Sequence, residues 1–243
     1  MRFPDPLIPG TLVRRYKRFL ADVALGDSGK VVTAHCANPG SMLSVDAPGS
    51  EVWLSPARNP DRKLKYTWEM IRVGRSLVGI NTWLPNGLVA EAIGKSRVPE
   101  LAGYDALRRE VKYGENSRID LLLEARRGDP AGRCYVEVKN VTMKRDLSKD
   151  APAEFPDAVT ARGLKHLGEL SAMVARGHRA VMFYLVQRQD SRRFAVAGDI
   201  DPAYAEALSK AMTAGVEVLC YGCRLSRHGI TVAGPIPCAF RGP

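Results

Sequence analysis

Near residue 82 the chain changes its hydrophobic period, and this divides what it can fold into. Before that point, short runs rich in β-branched and aromatic residues ("GTLVRRYKRFLADVAL", "KVVTAHC", "SEVWLS", "LKYTWEMIRV", "SLVGINT") are separated by the turn signals Gly-Asp-Ser-Gly, Asn-Pro-Gly-Ser and Arg-Asn-Pro-Asp. Five short strands with glycine-rich turns predict a small all-β barrel over residues 1–81. After it, "PNGLVAEAIGKSRV" sets Leu88, Val89, Ala92 and Ile93 at helical spacing, with Pro85 near the start. Three strand-like runs follow, "LRREVKYG", "SRIDLLLEA" and "RCYVEVKNVT", and then helices alternate with strands. The order α-βββ-α-β-α-β predicts an α/β mixed sheet flanked by helices over residues 82–243. Only "RRGDPAGR" and "MKRDLSKDAPAE" read as long exposed loops.

The chain of 243 residues, 45% hydrophobic and 26% charged, is long enough to bury real cores. No stretch approaches the roughly 18–20 apolar residues of a membrane span, and "MRFPDPLIPG" carries prolines where a signal peptide needs an apolar run. A cytoplasmic protein with no membrane partner is expected. Thirty-six Lys+Arg against 26 Asp+Glu give a net charge of +10, which favours an anionic polymer, nucleic acid first, over an acidic small molecule. Five cysteines suit a reducing compartment, and Cys220 and Cys223, lacking a second ligand pair for zinc, read as core residues of a strand. No phosphate-binding loop implies ATP. His35 and Cys36, adjacent on a strand, point to opposite faces and cannot act as a pair.

The barrel is compatible with an oligonucleotide-binding fold, another small barrel or a meander. Arg14, Arg15, Tyr16 and Lys17, and again Arg62, Lys63, Lys65, Tyr66 and Trp68, interleave cations with aromatics. Such a surface stacks bases and neutralises phosphates without reading sequence; the alternative is aromatic core residues with solvated charges between them.

The strand "CYVEVKNVT" carries Glu137 and Lys139 on one face, with Val136, Val138 and Asn140 on the other. The preceding strand, "SRIDLLLE", holds Asp120, which is able to face Glu137 across the pair. Two carboxylates brought close repel unless a cation lies between them, and hard oxygen ligands suit Mg²⁺. Arg162 and His166 in "TARGLKHL" share a helix face one turn apart, beside Lys165, aimed either at a phosphate or at the sheet. A helix-turn-helix reader is not expected, because the helices alternate with strands.

Asp120 with Glu137-x-Lys139 resembles the PD-(D/E)XK pattern of the restriction-endonuclease-like fold. In those enzymes the carboxylates hold the metal and the lysine orients or activates the attacking water. Glu91 in "LVAEAI" stands where such nucleases often add an acid from the first helix. Together with "TAHCANPGSM", "NTWLPNGLVAEAI", "ELAGYDALRREVKYGENSRIDLLLE" and "AEFPDAVTARGLKHLGEL", nearly the whole chain resembles the sugar fermentation stimulation protein family. That resemblance implies an oligonucleotide-binding barrel joined to a restriction-endonuclease-like domain, DNA binding of low sequence specificity, and a bacterial or archaeal cytoplasm. Two functions follow. One is a Mg²⁺- or Mn²⁺-dependent nuclease acting on DNA or RNA, with Asp120, Glu137, Lys139 and Glu91 in the site. The other is a non-catalytic DNA-binding regulator linked to maltose metabolism.

Overall fold

The computed structural model describes residues 1–114, 117–125, 132–148 and 150–239. Six strands come first: β1 (Ile8–Tyr16), β2 (Leu20–Leu25), β3 (Val31–Cys36), β4 (Glu51–Pro56), β5 (Tyr66–Val73) and β6 (Ser76–Gly79). They run in the order β3-β2-β1-β4-β5-β6, and a parallel contact of β3 with β5, His35 opposite Thr67 and Cys36 opposite Trp68, closes the first five into a barrel. Its interior is filled by Leu12, Val23, Cys36, Leu54, Trp68 and Ile71 among others.

The run "GTLVRRYKRFLADVAL" is a hairpin and not one strand. Lys17 and Arg18 adopt positive φ (49° and 61°) between β1 and β2, a conformation the sequence does not advertise because neither is Gly or Asn. Likewise Arg62, Lys63 and Lys65 precede β5 and lie in a loop.

The rest comprises α1 (Pro85–Gly94), β7 (Ala106–Tyr113), β8 (Ser117–Glu124), β9 (Arg133–Val141), β10 (Ala153–Phe155), α2 (Ala161–Ala175), β11 (Arg179–Val186), β12 (Phe194–Val196), α3 (Pro202–Thr213), β13 (Glu217–Ser226), β14 (Gly229–Pro235) and β15 (Cys238–Ala239). The main sheet has the order β14-β13-β11-β9-β8-β7, with β9, β11 and β13 parallel and the other neighbours antiparallel. Strand β9 is therefore interior. Strand β14 and a small parallel sheet, β10-β12-β15, add to the expected order. Each face of the main sheet has its own core. Leu88, Val89 and Ala92 of α1 pack with Leu121, Val136 and Phe183 on one face. Leu167, Leu170, Tyr204 and Leu208 of α2 and α3 pack with Leu122, Tyr135, Met182 and Tyr184 on the other.

Helix α2 is capped by Thr160, whose hydroxyl oxygen accepts from Gly163 N at 3.0 Å. The Asp201 carboxylate accepts from Tyr204 N at 3.0 Å, capping α3, and from Thr160 N at 2.8 Å. The two helices approach closely at Gly163, where a Cβ would come within 2.9 Å of the Tyr204 ring.

Several contacts join barrel and sheet. Gly79 N donates to Gln187 O at 2.8 Å, carrying β6 onto the end of β11. Ser41 N donates to the Asp157 carboxylate at 2.9 Å. Arg188, fully buried, forks onto Asp190 with two contacts of 2.8 Å, donates to Thr142 O at 2.6 Å and reaches Ser44 Oγ at 3.1 Å. The first three residues pair with the edge of the main sheet, Phe3 N donating to His228 O at 3.0 Å, so residues 1–81 do not all belong with the barrel.

"MKRDLSKDAPAE" is not a simple exposed loop: Met143 and Lys144 are buried, and Arg145 clamps Glu154 and Asp199. Most of "RRGDPAGR", residues 126–131, lies outside the described residues. Cys220 and Cys223 are buried free thiols, as a core strand requires.

Replacing Arg188 with leucine removes the guanidinium that forks onto the half-buried Asp190 carboxylate and leaves Lys144 as its nearby cation. The expected cost is about 3 kcal/mol in urea denaturation, and the double change Arg188→Leu with Asp190→Leu should recover a large part of it.

Candidate active site and nucleic-acid interface

The β8–β9 ladder runs from Glu124 opposite Arg133 to Leu121 opposite Val136 and stops. Asp120 and Glu137 would be the next pair. There the Asp120 Oδ2 accepts Val138 N at 2.7 Å, so a carboxylate replaces a backbone acceptor. Side-chain alternation slips at the same point: Ile119 and Leu122 enter the core beneath α2, whereas Leu121 and Leu123 enter the core beneath α1. Glu110, opposite Asp120 between the Arg109–Leu121 and Val111–Ile119 pairs, has φ 53° inside a strand. Such backbone costs on the order of 1–3 kcal/mol and gathers at functional sites.

Asp120 Oδ1 accepts from Asn86 Nδ2 at 2.7 Å, and the same amide nitrogen lies 3.2 Å from Glu110 Oε1. Glu137 is 2% exposed. Its Oε1 receives Lys139 Nζ at 2.9 Å and a short contact from His166 Nδ1. Lys139 Nζ is also 3.3 Å from His166 Nδ1, and Arg162 Nε is 3.4 Å from His166 Nε2. Among the described residues, the second Glu137 oxygen, Oε2, has no hydrogen-bond partner, and it is buried.

Burial first, and then the charge of Glu137, push the Asp120 carboxyl up to about 6. Burial would raise Glu137 too, but the His166 hydrogen bond and the Lys139 charge outweigh it and hold that carboxyl below its ordinary value. One carboxyl is kept ionised while its neighbour is poised near neutrality. Beside them opens a cleft of about 760 Å³ lined by Lys112, Arg118, Arg162, Lys165, His166 and Tyr113. That charge suits a phosphate backbone.

Asp120, Glu137 and Lys139 thus come together, with His166, Arg162 and Lys165 at the cleft. Glu91 does not join them. It pairs with the Met1 amino group at 2.9 Å and with Lys95, and it lines a different cleft, beside Arg97 and Arg224. On α1 the residue that reaches Asp120 is Asn86, five positions earlier and about 140° around the helix. Its signal in the sequence is its place just after Pro85, where a helix begins.

On the barrel, Trp68 is fully buried and donates its indole N–H to Met70 O at 2.9 Å, so it is a core residue and no stacking surface. Arg15 is spent inside the fold, donating to Asn38 O and Gly40 O at 3.1 and 2.8 Å. Arg14 and Tyr16 both bind Asp22. Tyr66 is half-buried against the barrel core, and Arg62 is half-buried. Lys17, Lys63 and Lys65 remain exposed.

The family model described as "Sugar fermentation stimulation protein RE domain" matches residues 83–229, and that of the "SfsA N-terminal OB domain" matches residues 13–80. The chain belongs to the sugar fermentation stimulation protein family. Its five-stranded barrel is the oligonucleotide-binding (OB) domain of that family, followed by the mixed-sheet domain. A sugar fermentation stimulation protein homolog of Rhodospirillum rubrum is 62% identical over 242 residues, covering 98% of both chains. One from Paramagnetospirillum magneticum is 59% identical over 236 residues, covering 97% of each. The solved structure of Pyrococcus furiosus SfsA, in complex with Ca²⁺, superposes with a TM-score of 0.86 at 27% identity, covering 98% of both chains. Among the described residues, no helix is long and apolar enough to cross a membrane.

The raised Asp120 pKa means the native state holds that proton more tightly than the unfolded chain. Ionisation of Asp120 therefore opposes folding, beginning as pH rises past 3.8 and complete above about 6. In metal-free buffer at pH 8, Asp120→Asn should raise the unfolding free energy by on the order of 2–3 kcal/mol, with no gain below pH 4. A variant no more stable than wild type at pH 8 would contradict the crowded-carboxylate reading.

Proposed function

We propose that this protein is a Mg²⁺-dependent nuclease of low sequence specificity, acting on DNA with RNA as a second possible substrate, in the cytoplasm. The observation that carries the reading is the end of the β8–β9 ladder, where two carboxylates meet beside a lysine and one buried oxygen, Glu137 Oε2, has no partner among the described residues. A fold alone would not license a function; this constellation is the warrant.

The residues fit a hard cation. Asp120 and Glu137 offer oxygen, and a carboxylate already accepting one hydrogen bond keeps further lone pairs. Among the described residues, no group of three or more His, Cys, Asp or Glu side chains forms a cage, so water and substrate phosphate would fill the remaining positions, as Mg²⁺ tolerates. Mn²⁺ takes the same ligands. The Pyrococcus furiosus relative is a complex with Ca²⁺, another oxygen-seeking divalent ion. When bound, the metal would neutralise the scissile phosphate and lower the pKa of a water.

The chain's own groups supply the rest. Lys139 Nζ, held by Glu137 Oε1, would orient the attacking water and offset developing charge. His166, buried between Glu137 and Arg162, fixes the carboxylate's orientation. Arg118, Arg162 and Lys165 on the cleft wall, with the exposed lysines 17, 63 and 65 of the barrel, would follow the backbone of the nucleic acid. The competing reading, a non-catalytic DNA-binding regulator linked to sugar metabolism, draws support from Glu137 Oε1, which already has two partners inside the protein.

Hydrolysis with Mg²⁺ or Mn²⁺ is to be measured on labelled single- and double-stranded DNA and RNA with identically purified variants. Asp120→Asn and Glu137→Gln should abolish cleavage and retain binding. Lys139→Ala should slow cleavage by about 100-fold or more, and Asn86→Ala, which frees Asp120, by about 10–100-fold. Unchanged cleavage in Asp120→Asn would sink the mechanism. No cleavage by wild type on any substrate would leave the binding-only reading. Separately, each phosphate contact removed among Arg118, Arg162 and Lys165 should flatten the plot of log K against log salt by about 0.7–0.9.

A further inference from the structure

The chain has three tryptophans. Trp53 and Trp68 are buried at 1% and 0% exposure, whereas Trp83 is 63% exposed. Trp83 lies between β6 and α1, where the barrel hands over to the second domain. A side chain that gains so much from burial is not left open by slack in the chain, because the backbone beneath it is held from several sides. Trp83 N donates to Asn81 Oδ1 at 2.9 Å. Asn81, itself buried, donates Nδ2 to Glu69 Oε2 at 2.9 Å, and Ser55 Oγ donates to Glu69 Oε1 at 2.6 Å. Thr82 Oγ1 donates to Ala37 O at 2.5 Å. One side of the indole rests on the His35 ring, with centroids 5.0 Å apart and planes inclined by 32°. Burial first, and then the nearby Arg62 charge, lower the His35 pKa and so disfavour a cationic ring, and the imidazole serves as a flat backing. A rigid, backed aromatic surface therefore faces outward, with Arg62 close by and Arg18 bound at Pro39 O.

We propose that Trp83 is a stacking shelf for an unpaired nucleobase, which makes single-stranded nucleic acid, or an opened end of a duplex, the substrate of the site. This rests on the nucleic-acid reading proposed above and deepens it. Every base has a π-face, but in a duplex that face is already covered, so an isolated shelf selects strands whose bases are free. Position adds to the argument. Trp83 precedes Asn86 by three residues, about 11 Å of chain at most, and Asn86 holds Asp120. A strand with a base stacked on Trp83 would therefore be within reach of the Asp120–Glu137 pair.

Because the other two indoles are buried, quenching of intrinsic fluorescence reports on Trp83. The full chain, in EDTA to prevent cleavage, is titrated with oligo(dT), with oligo(U) and with a blunt DNA duplex of equal length. Anisotropy of a label on the nucleic acid reads binding independently. Quenching by either single strand, with little by the duplex, is the expected result. Trp83→Ala should weaken single-strand affinity by roughly 5- to 150-fold and leave duplex affinity unchanged; Trp83→Phe, which keeps a stacking face, should lose less. An exposed side chain is being changed, so circular dichroism should confirm an intact fold. Binding by anisotropy without quenching, or equal loss for single strand and duplex in Trp83→Ala, overturns the shelf while leaving the nucleic-acid reading in place. No binding to any of the three ligands overturns both.

Discussion

Strand β8 parts from β9 after Leu121, and the next amide, Val138 N, is taken by the Asp120 carboxylate. Much of the cleft depends on that exchange. A backbone acceptor would have kept the strands zipped and turned Asp120 and Glu137 into an ordinary cross-strand pair. With a side chain as acceptor, the strands separate without orphaning an amide, and a space opens in an otherwise continuous sheet. Burial and mutual repulsion then set the two carboxyls apart in acidity, with Lys139 and His166 keeping Glu137 ionised. Structure, electrostatics and proposed chemistry share one origin.

The barrel and the sheet are not beads on a string. Arg188 is enclosed by groups from both, and its guanidinium satisfies Asp190, Thr142 O and Ser44 Oγ at once. A fully buried arginine makes sense only where every donor finds an acceptor and the neighbouring carboxylate offsets its charge. The Ser41–Asp157 contact fixes a barrel loop close to the start of α2. A nucleic acid on the barrel would therefore meet the cleft at a set distance.

Much of this was legible in the residues. The β-branched strand β9, its two charges and the register that sets Asp120 against Glu137 follow from local pattern and a short connection. The barrel followed from turn spacing. What could not be read depended on contacts distant in sequence. Trp68 looks like a surface aromatic between lysines until β3 closes on β5 and encloses it. Arg15 looks free until the Asn38–Gly40 loop folds over it. Glu91 and Asn86 lie on one helix, and only its packing against the sheet decides which of them faces Asp120. Strand β14, "GITVAGP", is short and broken by Gly and Pro, so it exists because β13 offers it an edge.

Asp201 ties two helices together. By accepting from both Thr160 N and Tyr204 N, a single carboxylate pins the first turns of α2 and α3 to each other. Arg162 and His166 ride on the first of these helices, so the cleft wall has no independent hinge there and would have to swing as a two-helix slab. The segment that delivers Asp201 begins at Gln187 and Arg188, against the barrel. It acts as a tie-rod: a shortening or lengthening between residues 190 and 200 would be felt at the cleft, far from where it was made.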